Sequence, residues 1–100
     1  MGVVIAVVQD EEGNQVGECV DLPIELLPNL HDSKFACLRF IDPYGDTLFN
    51  RLQLPAVLED VRLLKMTERT NEQNELIYRI EALVGVCEKK PHLYLKFIGD

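Results

Sequence analysis

The apolar stretch VVIAVV, residues 3–8, decides how the rest of this sequence is arranged. An uninterrupted apolar run, here of β-branched residues plus Ala6, is typical of a strand covered on both faces, so we predict a strand near the middle of a sheet. Gly13 and Asn14 provide the positive φ angles that a hairpin loop requires, and residues 16–20 are expected to form the returning strand. Between residues 21 and 32 the pattern is irregular, and Asp21 is expected to cap a single helical turn.

A second hairpin is predicted over residues 35–52. Residues 35–41 and 47–52 are rich in apolar and aromatic residues. Between them, Asp42-Pro43-Tyr44-Gly45 matches a type I turn, with an acid first, proline second and glycine fourth. These two segments are therefore expected to be the third and fourth strands.

From Leu54 onward the apolar residues recur with helical spacing. A single helix over residues 55–88 would be about 50 Å long at 1.5 Å per residue, too long for a domain of this size. Thr70 and Gln73 have the spacing of a capping box, which indicates a second helix start. We predict a helical hairpin, with one long protruding helix as the alternative. The two apolar stripes are Leu54, Val57, Leu58, Val61 and Leu64, and then Leu76, Ile77, Ile80, Leu83, Val84 and Cys87.

Alternating apolar residues predict a final strand over residues 93–98. The predicted fold is a single α+β domain, residues 1–100, with a mainly antiparallel five-stranded sheet in the order β-β-β-β-α-α-β and a helical hairpin over one face. The expected core consists of Val4, Ile5, Val7, Leu38, Phe40, Leu48, Leu58, Val61, Ile77, Ile80, Leu83, Leu95 and Phe97.

The net charge of −7 belongs to the first third of the chain. Residues 1–33 contain seven acidic residues and no Lys or Arg, whereas residues 34–100 contain ten of each sign. This balance argues against a nucleic-acid partner, because such binding depends on Lys and Arg neutralising phosphates. The lack of an 18-residue apolar run argues against a membrane span. A concentrated negative surface instead favours a basic protein partner, and the residues expected to bind it are Asp10, Glu11, Glu12, Glu18, Asp21 and Glu25.

The cysteines and glycines indicate neither a metal site nor a cofactor. Cys19, Cys37 and Cys87 are odd in number and widely spaced, which disfavours a disulfide framework and a zinc knuckle and favours a reducing cytoplasm. The glycines form no phosphate-binding or nucleophile motif. We therefore expect no metal and no cofactor.

A second candidate site is the polar turn that contains Asp42, Tyr44 and Asp46. Several carboxylates at one end of a sheet are able to hold Mg²⁺ or to divide acid and base roles, with Asp100 or His92 as additional members. The simpler interpretation is that Asp42 caps its own turn and Asp46 begins a solvated strand.

Three functions follow from these observations. The first is a non-catalytic protein-binding module, for example an immunity or inhibitor-type protein for a basic partner. The alternatives are a small metal-dependent hydrolase that uses the Asp42/Asp46 turn, and a homo-oligomeric structural protein.

Two stretches, residues 40–50 (FIDPYGDTLFN) and residues 93–100 (LYLKFIGD), carry a resemblance. They are similar to segments of small bacterial proteins that have no assigned activity. The resemblance implies a bacterial source and a short intact protein. It transfers no site residues.

Overall fold

The computed structural model describes residues 2–67 and 69–99, and it confirms the α+β class. Two short 3₁₀ turns, Ile24–Leu26 and Leu38–Phe40, lie in the segment that joins the second and third strands. The strands and helices are β1 (Val3–Gln9), β2 (Gln15–Pro23), β3 (Asp46–Phe49), α1 (Leu54–Lys65), α2 (Asn71–Lys89) and β4 (Tyr94–Ile98).

The sheet has four antiparallel strands in the order β2-β1-β4-β3, so the predicted five-stranded sheet is wrong. β4 lies between β1 and β3 and is antiparallel to both. The predicted central position of residues 3–8 is confirmed, since β1 pairs with β2 on one side and β4 on the other. The predicted hairpin over residues 35–52 does not form, because β3 pairs with β4 instead.

Residues 35–41 fail to form the predicted third strand because a buried carboxylate holds them in another shape. Asp60 of α1 accepts hydrogen bonds from the backbone N–H groups of Ala36, Cys37 and Leu38, at 3.1, 2.7 and 2.9 Å. Consecutive N–H groups of a strand point to opposite edges, so three in a row cannot reach one carboxylate from an extended chain. The segment turns around Asp60 and continues as the 3₁₀ turn.

The helical region consists of two helices, as the capping box predicts. The Thr70 side chain accepts a hydrogen bond from the Gln73 backbone N–H, and the Gln73 side chain accepts one from the Thr70 N–H. α2 packs on β1, β2 and β4, and α1 packs on α2. Neither helix is long and apolar enough, within the described residues, to cross a membrane.

The core lies between the helices and one face of the sheet. Val4, Ala6 and Val8 of β1 point into it, together with Leu95 and Phe97 of β4. Most of the expected core residues are buried, but Phe40 and Leu48 are 52% and 45% exposed. Phe40 belongs to the 3₁₀ turn, and Leu48 lies on the opposite sheet face. Ile5 and Leu58 are partly buried.

Two further boundaries differ from the sequence prediction. Asp21 lies within β2 and caps no helical turn, since the 3₁₀ turn that follows begins after Pro23. β3 ends at Phe49, before the predicted end at Leu52, because the Asn50 side chain accepts hydrogen bonds from the Leu52 and Gln53 backbone N–H groups and turns the chain.

Candidate functional site

The first three acidic residues form the tip of the β1–β2 hairpin. The Asp10 carboxylate accepts hydrogen bonds from the Asn14 and Glu12 backbone N–H groups, both at 2.9 Å. These bonds, chiefly the one from Asn14, lower the pKa of the Asp10 carboxyl group. Glu11 lies 3.5 Å from the imidazole of His92, which belongs to the turn that precedes β4, and both side chains are exposed. Asp10 therefore organises the turn, whereas Glu12 is left at the surface.

The other three predicted acids follow the outer strand of the sheet. Glu18 and Asp21 are exposed on β2, and Glu25 is exposed in the 3₁₀ turn that follows it. The six predicted binding residues thus do not form one compact cluster. They lie along β2 and at its two ends, and we call this surface the acidic edge.

The backbone of β2 is interrupted beside the acidic edge. Between the pairs Ala6–Val20 and Val8–Val16, β1 advances two residues while β2 advances four, and Gly17 adopts a φ of 80° in this bulge. The Gln15 amide donates a hydrogen bond to the Gly17 carbonyl at 2.9 Å, and the Arg79 guanidinium donates one to the Cys19 carbonyl at 3.3 Å. Bulges and charged side chains are the usual means by which proteins protect an edge strand.

An apolar groove of about 200 Å³ lies between β2 and α2, next to the acidic edge. Arg79 stands at the groove from the α2 side, and Glu18 from the β2 side. Its remaining lining residues are Val20, Ala82, Leu83 and Val86. The groove therefore combines apolar walls, one acidic residue, one basic residue and an adjacent edge strand.

Sequence reasoning missed the groove because strand order cannot be read from the residues of β2 alone. A usable signal did exist in α2, where Arg79, Ala82 and Val86 recur at i, i+3 and i+7. That spacing places them along one flank of the buried stripe.

The residues of the second candidate site, Asp42, Tyr44 and Asp46, lie in and next to the turn that precedes β3. Asp42 accepts a hydrogen bond from the Tyr44 N–H at 2.8 Å, so it caps its own turn. Asp46 lies 3.5 Å from Lys96 of β4, and Tyr44 is 81% exposed. Asp100 lies outside the described residues, and within them no three His, Cys, Asp or Glu side chains are grouped as metal ligands would be.

The cysteines also stand apart from the acidic edge, except for Cys19 of β2. No disulfide is present among the described residues, and Cys19 is exposed while Cys37 and Cys87 are buried. Burial raises the pKa of the Cys37 thiol, and the Asp60 carboxylate adds to this increase. Burial likewise raises the pKa of Cys87 to about 11, which keeps it protonated near neutral pH.

Comparison with known proteins finds no matching family model, no matching curated protein and no matching solved structure.

Proposed function

We propose that this protein is a non-catalytic binding module that pairs β2 with an extended, basic segment of a partner protein. The observation that carries the proposal is the coincidence of an edge strand, an apolar groove and exposed acids on one flank. Addition of a strand to an exposed sheet edge is a recurring mode of peptide recognition, in which the backbone provides affinity and alternate side chains provide specificity.

The alternation of side chains along β2 defines the ligand. Val20 points toward α2 and lines the groove, so a ligand side chain on that side is aliphatic. Asp21 is the next residue along β2 and points to the other face, where it is exposed. A ligand side chain on that side is basic. The expected ligand is thus a strand in which aliphatic and basic residues alternate.

The charges favour a different protein over a second copy of this chain. Pairing two copies through β2 would bring two acidic edges together, and like charges across an interface cost several kcal/mol. A basic partner meets a complementary field and is also steered toward the site. One version of this function is an immunity or inhibitor-type protein of the cytoplasm, in which carboxylates occupy the places that phosphates take on a basic partner.

The test uses a synthetic nine-residue peptide of alternating lysine and valine, matched to the length of β2. Its affinity is measured by calorimetry at two salt concentrations, beside a twin peptide with glutamate in place of lysine. A third peptide carries N-methyl groups on alternate residues, so it keeps the charge but loses one row of ladder donors. We expect the lysine peptide to bind, and to bind more weakly at high salt. The glutamate peptide and the N-methylated peptide are each expected to bind at least tenfold more weakly than the lysine peptide.

The matched variants separate the acidic edge from net charge. Glu18→Lys with Asp21→Lys and the control Glu59→Lys with Glu72→Lys change the net charge equally, and all four side chains are exposed. Neither control residue lines the groove. We expect the first pair to abolish binding and the control pair to retain most of it. Equal loss in both pairs, or equal binding of the N-methylated peptide, contradicts strand pairing at β2.

A further inference from the structure

A second cavity, of about 480 Å³, lies on the irregular segment that joins β2 to β3. Ile24, Leu27, Leu30 and Ile41 provide apolar walls, and Arg39 and His31 are its basic lining residues. Within the described residues no Asp or Glu lines it. Its lining therefore combines a guanidinium with apolar side chains.

The Arg39 guanidinium is held in place without an acidic partner. Its Nη1 donates a hydrogen bond to the Leu30 carbonyl at 3.3 Å, and its Cζ lies 4.6 Å from the centre of the Phe40 ring. Its Nε is buried and has no hydrogen-bond partner within the described residues. Arg39 forms no ion pair there either.

A guanidinium fixed in this way is prepared for an anion. A buried donor without a partner costs free energy, and an arginine positioned before binding loses less side-chain entropy when an anion arrives. The Nη2 group makes no hydrogen bond within the described part of the chain, so it is the donor group left for a bound anion. The volume is in the range of small-molecule sites.

The lining selects the class of anion. One guanidinium balances one negative charge, and its Nη2 group is able to donate a charge-assisted hydrogen bond to a carboxylate oxygen. Four aliphatic side chains on the walls require an apolar remainder of the ligand. We propose that this cavity binds a small monocarboxylate with an aliphatic chain, with its carboxylate on Arg39 and its chain against Leu27, Leu30 and Ile41.

The test titrates the protein with hexanoate and follows its backbone amides by ¹H–¹⁵N correlation spectra. Hexan-1-ol and hexylammonium have the same chain without the negative charge. We expect saturable shifts for hexanoate, confined to residues 24–43, and shifts for the other two that do not saturate in the same concentration range.

Two variants and a control assign the binding to the cavity. We expect Arg39→Gln to weaken hexanoate binding about tenfold or more, and Arg62→Gln, an exposed arginine of α1, to leave it unchanged. Leu30→Trp fills the cavity from an exposed position and keeps the guanidinium. We expect this variant to lose hexanoate binding, so it tests the site even if Arg39→Gln fails to fold. Three results would overturn the proposal: equal affinity for hexan-1-ol and hexanoate, hexanoate-induced shifts outside residues 24–43, or full hexanoate affinity in Leu30→Trp.

Discussion

Asp60 is a single carboxylate that determines the path of the chain between β2 and β3. It is 2% exposed and accepts three backbone hydrogen bonds from residues 36–38. Hydrogen bonds to a charged acceptor are stronger than neutral ones. Because Arg39 follows directly and lines the cavity on the segment between β2 and β3, the same carboxylate also positions one wall of that cavity.

Replacement of Asp60 by Asn is expected to lower the free energy of unfolding by about 2–4 kcal/mol. The amide retains one acceptor oxygen, and its NH₂ group faces backbone N–H donors that it cannot accept from. Urea unfolding measures the loss. Glu59→Gln is the control, since Glu59 is exposed and its change is expected to stay within about 0.5 kcal/mol. Equal stability of the two variants contradicts the role given to Asp60.

Cys87 is expected to make the protein less stable at alkaline pH. Burial raises the pKa of its thiol from 9.0 to about 11. Since folding favours the protonated thiol, this contribution to stability is complete below pH 9 and is lost as the pH rises through 11. Unfolding by urea between pH 8 and pH 11 tests this. The Cys87→Ala profile is expected to be flatter than that of the parent, and equal profiles of the two proteins would contradict this.

At the scale of the element, β2 is the strand on which the proposed function rests. Its outer edge is protected by a bulge and by the bond from Arg79 to the Cys19 carbonyl. A ligand strand that donates to this carbonyl must displace Arg79. The arginine therefore competes with the ligand and also repels a basic one.

Removal of this competitor is expected to strengthen binding. Arg79→Ala should raise the affinity for the lysine–valine peptide about three- to tenfold, equivalent to roughly 0.6–1.4 kcal/mol, as measured by calorimetry. Arg62→Ala removes the same charge from α1 and is expected to have a smaller effect. Unchanged affinity in Arg79→Ala would place the peptide elsewhere.

The capping box at the start of α2 is expected to stabilise the fold. Thr70→Ala removes the cap hydroxyl and is expected to cost about 1 kcal/mol of unfolding free energy. Thr67→Ala is the matched control, because the Thr67 hydroxyl forms no side-chain hydrogen bond within the described residues. Thermal unfolding of the two variants provides the comparison, and equal melting temperatures would show that the capping box contributes nothing.

At the scale of the whole molecule, local patterns predicted local structure well. Three features depend only on residues that are close together in the sequence, so the sequence is sufficient to predict them. They are the helical spacing of apolar residues from Leu54 to Cys87, the helix cap at Thr70 and the apolar run of β1. Residues 35–41 do not follow this rule. Their apolar and aromatic side chains suit a strand, but Asp60, more than twenty positions away, accepts hydrogen bonds from the backbone N–H groups of residues 36–38.

One part of the candidate site can be predicted from the sequence, and the rest depends on the tertiary fold. The concentration of acids in residues 1–33 is visible in the sequence. Their place along an edge strand depends on β4 inserting between β1 and β3, which leaves β2 on the outside. The groove beside Val20 depends in addition on α2 packing there. Neither arrangement has a local signature, and the same holds for the cavity at Arg39.

The proposed function requires β2 to accept an additional strand. The most direct measurement is of intermolecular nuclear Overhauser effects between the lysine–valine peptide and the ¹⁵N-labelled protein. We expect contacts between backbone protons of the peptide and those of Cys19–Leu22, with peptide valine methyl groups near Leu83 and Val86. Contacts confined to the hairpin tip at Asp10–Asn14, or to the opposite sheet edge at β3, would contradict it.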